Sequence, residues 1–309
     1  MLSTRNSQLA IKIEAVEGTA ETLAAANVIL ASNPKFSPNI NMYKRSDKAV
    51  AGDMSPVPSL PGARSATITF EVELCGAAAA GTAPHYSAAL RACGAGETIV
   101  AVTSVTYKPI SGNIPSATVA IYEDGKIKRI WGARGTVSIS FRAGEPAIAS
   151  FTFTGADFEV VDGALLTGVT YPATVPPVFM GATFSIGGYS AVINSMTIDQ
   201  GNTVALRKAV TASGGHISAR ITGREPTLKI DPEEVLNATQ DFFGAWRSGA
   251  LLALASSMGS VAGNTIATSA PKVQYQSIST GEREKLSTLD ITALLTRNAG
   301  NDEWQIQIT

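Results

Sequence analysis

Histidine, cysteine, charge of either sign in excess and long apolar runs are all scarce in this 309-residue chain, and each scarcity removes a class of activity. His85 and His216 are its two histidines. One opens an expected helix and the other follows Gly214-Gly215, and both read better as hydrogen-bonded polar side chains than as a general base. No G-x-S-x-G turn presents a serine nucleophile. The glycine-rich pieces GARG (132–135) and SGG (213–215) lack the Lys and Ser/Thr that complete a phosphate-cradling loop. Cys75 and Cys93 bracket a stretch of small residues with no further Cys or His at metal-ligand spacing, so they read as two buried free thiols. Neither a metal nor a cofactor is expected.

A formal net charge of −1 supplies no basic field with which to gather nucleic acid by releasing its counterions. No apolar run approaches the roughly 20 residues of a membrane-spanning helix, and the opening MLSTRNSQLAIKIEAVEGT lacks a signal-peptide core, so synthesis in the cytoplasm and no membrane partner are expected. Charged residues make up 16%, against roughly 25% in ordinary soluble domains, while Gly, Ala, Ser and Thr abound. A surface so poor in charge suits contact with other protein.

What is present is strand pattern. Alternating or β-branched runs bounded by Gly, Pro, Asn and Asp predict a mainly β fold, with strands over 65–74, 99–107, 117–124, 126–143, 147–160, 181–188, 190–200, 217–231, 265–281, 285–297 and 303–309. Asp124-Gly125 marks a two-residue hairpin turn. Several runs exceed the usual 3–10 residues, which suits a sheet that extends into a neighbour or closes a large barrel. Two short helices are expected, over 83–94 with Gly94 as its stop, and over 231–249 with Asp231 as cap, Pro232 in the first turn and Gly249 at the end. Asp231, Glu233 and Glu234 then serve the helix terminus better than a metal.

Length permits one large domain or two, and a proline-rich stretch, TYPATVPPV (170–178), divides the chain. The expected organisation is a first unit over 1–168, a linker over 169–178 and a second unit over 179–309. Both units show one order: an early hairpin, a strand ending in polar residues, a short amphipathic helix, then long strands. Between the first hairpin and the next strand lies a long Pro-, Gly- and Lys-rich segment, 43–65, of a kind that becomes ordered against an adjacent subunit. Lys44, Arg45 and Lys48, interspersed with Asp47 and Asp53, make a weak patch for nucleic acid and a better one for a subunit contact. The run GEREKL (281–286) reads as a solvated turn.

Several segments together resemble the tail-tube, or major tail, proteins of siphophages. They are LAIKIEAVEGT (9–19), the strand, Gly/Ala loop and helix of 61–94, and 242–309 with APKVQYQSIS, GERE and RNAGNDE as landmarks. The resemblance implies two β-sandwich/barrel units, each with one short α-helix, whose long strands join those of sister subunits into one continuous inner barrel. It implies a structural role in stacked rings that conduct DNA into the host, with no enzymatic activity. The contacts between stacked rings would fall at Tyr43, Lys44, Arg45, Asp47, Lys48 and Asp53. Uncharged residues lining the barrel strands would include Thr67, Thr69, Ser138, Ser140, Gln274, Gln276 and Thr288. Implied partners are the chain itself, a tape-measure protein, and tail terminator and distal tail proteins, with DNA passing unbound; implied localisation is the virion tail after assembly in the host cytoplasm.

Two tube-like units in one chain favour a trimeric ring with pseudo-sixfold symmetry over a hexamer carrying one unit outside. Two rivals use the same short strands: a two-domain β-sandwich decoration or adhesion protein that never stacks, and a β-helix or β-sandwich hydrolase, which the shortage of histidine and of paired carboxylates disfavours.

Overall fold

The computed structural model describes residue 3 and residues 5–45 and 52–309. Its strands in chain order are β1 (Ser7–Ile13), β2 (Val28–Ile29), β3 (Ser32–Tyr43), β4 (Leu60–Glu73), β5 (Ala95–Val100), β6 (Ser104–Pro109), β7 (Ala117–Glu123), β8 (Lys126–Arg142), β9 (Ile148–Gly155) and β10 (Asp157–Asp162). They continue as β11 (Thr183–Ile186), β12 (Ile193–Asp199), β13 (Asn202–Lys208), β14 (His216–Arg224), β15 (Thr227–Pro232), β16 (Leu252–Met258), β17 (Ile266–Arg283), β18 (Leu286–Leu295) and β19 (Gln305–Ile308). Helix α1 (Ser87–Ala92) follows β4, and α2 (Phe242–Ser248) follows β15. The fold is mainly β, as the alternation demands.

Period-2 patterning builds one long antiparallel sheet with a dry and a polar face. On β4, Ala66, Ile68, Phe70 and Val72 are buried while Ser65, Thr67, Thr69 and Glu71 point the other way. On β9, Phe151 and Phe153 stack with Phe70, and Thr152 and Thr154 take the opposite face. Neighbouring strands in this sheet run β3, β4, β9, β8, β12, β15, β18, β17. Other ladders, with both helices, cover its dry face; among the described residues one large cluster of buried side chains draws on both halves of the chain, and a smaller one gathers Ala10, Leu23, Val28, Ala120 and Tyr122.

The ladders come twice in the same order. In the long sheet β3-β4-β9-β8 is followed by β12-β15-β18-β17; in the covering layer β1-β7-β8-β10 is matched by β11-β16-β17-β19. Strands β8 and β17 each begin in the covering layer and end in the long sheet. β8 turns where Gly132 adopts φ 58°, with Ile217 O 3.1 Å from where a Cβ would stand. Each half also has its own additions: β2 and β5-β6 in the first, the β13-β14 hairpin in the second. The β5-β6 hairpin pairs with β19, so a piece of the first half extends the covering layer of the second.

Three local expectations differ from the structure. Asp231 does not cap a helix: Leu228, Ile230 and Pro232 alternate inward as the end of β15, and the Asp231 carboxylate accepts from the Asn194 and Ser195 N–H groups. The cap is Asp241, which accepts from Gly244 N at 2.7 Å, and Gly249 at φ 65° closes the helix as expected. The 99–107 run is a hairpin turning at 101–103, with Val102 at φ 59°. The 217–231 run breaks at Glu225-Pro226, where proline cannot donate to a ladder. The proline-rich stretch packs against the body, through an Asn264 side-chain hydrogen bond to Val175 O and a bridge between Pro146 and Val178.

Candidate functional site

The long sheet is joined across its middle by β8 and β12, where Ser138–Arg142 pair with Asp199–Ser195. Gln200 N donates to Val137 O and Ala143 N to Asn194 O, extending the joint at both ends. Ile139 and Ile198 meet at its centre, each at most 2% exposed. Its two outer edges lack such a partner among the described residues. β3 pairs with β4 alone, and Gln274–Arg283 of β17 pair with β18 alone. Long unpaired edges attract further strands.

Arg64 N donates to Gly214 O, away from β3. Its partner Ile40 therefore turns its own N–H and C=O away from β4, as do Pro38 and Phe36, since alternate residues of an antiparallel strand face opposite neighbours. Pro38 thus stands where its absent N–H would have met the open edge. On β17 the corresponding groups belong to Ile278 and Thr280, because Leu295 N donates towards β15 and sets the alternation across β18.

Beyond the sheet, β3 and β4 continue as a projecting hairpin. Ile40, Met42, Tyr43 and Leu60 are 42–51% exposed there, and Met54 beyond them is fully exposed. Lys44, Arg45 and Asp53 also lie exposed in this arm; Asp47 and Lys48 lie outside the described residues. At the same place in the second half, between β12 and β15, the β13-β14 hairpin is instead docked on the first half. Arg64 pairs with the buried Asp157 at 2.8 Å, whose carboxylate lies against Gly214, leaving no room for a side chain there. The His216 Nδ1 sits 2.9 Å from Arg64 O. Arg134, 8% exposed at its side chain, donates to Ala219 O and pairs with Glu17 at 2.8 Å. Burial pushes the Glu17 carboxyl up, but hydrogen bonds from Ser218 and Arg134 and the charges of Arg134 and Arg220 outweigh it, so the group sits below the ordinary value.

The polar face of the long sheet carries Thr67, Thr69, Ser138 and Ser140 side by side, in rows such as Thr69, Thr152, Thr136. Gln274 lies on the same face, paired with Leu294, and Gln276 is the exposed extra residue of a bulge. Thr288 is only 5% exposed, under a bridge to Glu233. The tip of GEREKL is a tight turn with Glu284 and Lys285 at positive φ, while Arg283 folds back on Asp231 and Glu233 at 3.3 and 3.1 Å.

Titratable groups elsewhere serve structure. Glu14, 8% exposed, accepts from Ser116, Thr118, Gly18 N and Gly132 N. Burial lowers the His85 pKa against a hydrogen bond to Leu30. Both cysteines are free and buried, and burial with the nearby Glu73 raises Cys75 to about 11. Sequence reasoning missed the Glu14 and Glu17 hubs because their partners lie some 100–200 residues away. No reading of the sequence marked the open edge; the missing donor of Pro38 on β3 is the one signal that could have pointed to it.

Fold and surfaces define a mainly β protein with a polar sheet face rich in Ser and Thr and two exposed strand edges. Residues 4–293 match the family model of phage tail tube proteins, and the chain belongs to that family. It is thus a structural component of a phage tail, in a family that is not a class of enzymes. No curated protein matches the chain.

Proposed function

We propose that this chain polymerises as stacked rings into the tail tube, and that the polar face of its long sheet lines the conduit through which DNA leaves. The observation that supports it is the pair of open edges on a sheet that already contains one edge-to-edge joint between repeated four-strand sets. A sister copy can complete each edge through backbone hydrogen bonds, and ring closure then leaves no edge exposed. Two tube units, over 1–168 and 179–309 with the 169–178 stretch between them, make the ring a trimer with pseudo-sixfold symmetry. Three chains give a barrel of about 24 strands; at about 4.8 Å per strand its wall is about 115 Å round, or about 37 Å across between backbones before strand tilt widens it.

The rows of the polar face mix hydroxyls with scattered charges of both signs, Lys35, Arg142 and Lys229 with Glu71 and Asp290, so passing DNA meets no continuous line of cations to grip. The exposed arm, with Tyr43, Lys44, Arg45 and Asp53, reaches the next ring. Tape-measure protein occupies the tube before DNA, terminator and distal tail proteins cap it, and assembly takes place in the host cytoplasm. Negative-stain microscopy of the purified chain at high concentration tests this: rings or tubes with threefold end-on views are expected. Sixfold views with one inner unit per chain would replace the trimer by a hexamer. A chain that stays monomeric at millimolar concentration would overturn the tube.

A further inference from the structure

The β8-β12 joint inside the chain is a template for the joint between chains, and the repeated ladders give its register. Both covering layers carry the same irregularity of three residues against two: Ala133 to Ile130 against Ala117 to Val119, and Val273 to Ala270 against Leu252 to Leu254. It makes Ala133 the counterpart of Val273, hence Gly135 of Tyr275. Across the long sheet Gly135 leads through Phe153 and Ile68 to Phe36. Tyr275 leads through Ala293 and Leu228 to Ile198. Phe36 is therefore the counterpart of Ile198. β17 holds one extra residue between Tyr275 and Ser277, so Thr280 is the counterpart of Ile139.

We propose, resting on the ring reading above, that β17 of one copy pairs antiparallel with β3 of the next, with Thr280 opposite Phe36, Ser279 opposite Ser37 and Ile278 opposite Pro38. Two independent features agree with this register. Phe36 and Thr280 both turn their backbone groups to the open edge, as Ile198 and Ile139 turn theirs to each other. Ile40, 42% exposed, is carried to the Tyr275–Gly249 end of the neighbour, where Leu251 is 50% and Trp246 37% exposed on and just after α2. The occupant is a second copy offering its other edge: two β3 edges pair poorly, because each presents Pro38 without a donor.

Ser37 and Ser279 are exposed, and their pair is of the non-hydrogen-bonded kind, with Cα atoms about 4.5 Å apart, within disulfide reach. Full-length S37C/S279C, assembled and mildly oxidised, should give a ladder on non-reducing gels that stops at a covalently closed ring, with wild-type ring symmetry by microscopy. S37C/S277C and N39C/S279C, displaced by two residues either way, should remain largely uncrosslinked. A displaced pair that crosslinks instead, or rings in which no pair does, overturns the register while leaving the tube standing. A chain whose wild type forms no rings overturns both.

Discussion

The two halves of the chain repeat one order of strands and differ in what lies between the first two strands of the long sheet. In the second half that interval is the β13-β14 hairpin, pinned to the first half by the Arg64 backbone, Arg134 and Glu17. In the first half it is an arm whose base exposes Ile40, Met42 and Leu60. One edge joint is likewise complete, between β8 and β12, and the equivalent joint at β3 and β17 is open. The contrast teaches that the first half finds its receptor inside the same polypeptide, whereas the edge of the second stays open and, on the ring proposal, is received by another copy. On that proposal, what is folding energy at one joint is assembly energy at the other.

The sharpest way to break this contrast is to damage both joints alike. Ile139→Pro, at the sealed joint, removes a donor and a buried side chain and should cost about 3 kcal/mol or more, read as a drop in the denaturant midpoint. Thr280→Pro, at the open edge, should leave the midpoint of the isolated subunit nearly unchanged yet abolish rings in the microscope. Equal loss of stability in both variants would erase the distinction. Next in size, removing 44–59 with a short turn in its place should leave rings but prevent their stacking, measured as tube length; undiminished tubes would remove the role given to the arm.

The smallest effect concerns pH. The Glu17 pKa is lowered on folding, so its contribution is present above the ordinary carboxylate value and is lost as pH falls through its folded pKa. Hydrogen-exchange protection of β14, taken relative to the intrinsic rate at each pH, should therefore fall as pH drops below the ordinary carboxylate value in the wild type. Glu17→Gln should exchange faster already at neutral pH and respond less to acid.

Much of the strand content was legible because one buried face writes period-2 patterning, as in Ala66 to Val72. The Asp124-Gly125 turn and the Gly249 stop were legible because positive φ selects their residue types. Asp231 misled because an acidic residue before proline opens helices and also ends strands, and only the Asn194 and Ser195 amides, more than 30 residues away, decide between them. Strand β13 was missed because its alternation is exposed on one side and only half-buried on the other. The open edges were not legible, since pairing is a property of ladders and not of a segment. Composition spoke for the site only through its hydroxyl-rich alternation at Thr67, Thr69, Ser138 and Ser140.

Strands β8 and β17 each run without interruption from the covering layer into the long sheet. In the tube proposed above, with the long sheet as its lining, that arrangement would stitch lining to sheath with covalent backbone twice per subunit. When a tail flexes, the two shells cannot peel apart; the load passes along the peptide chain, and curvature must be taken up between rings.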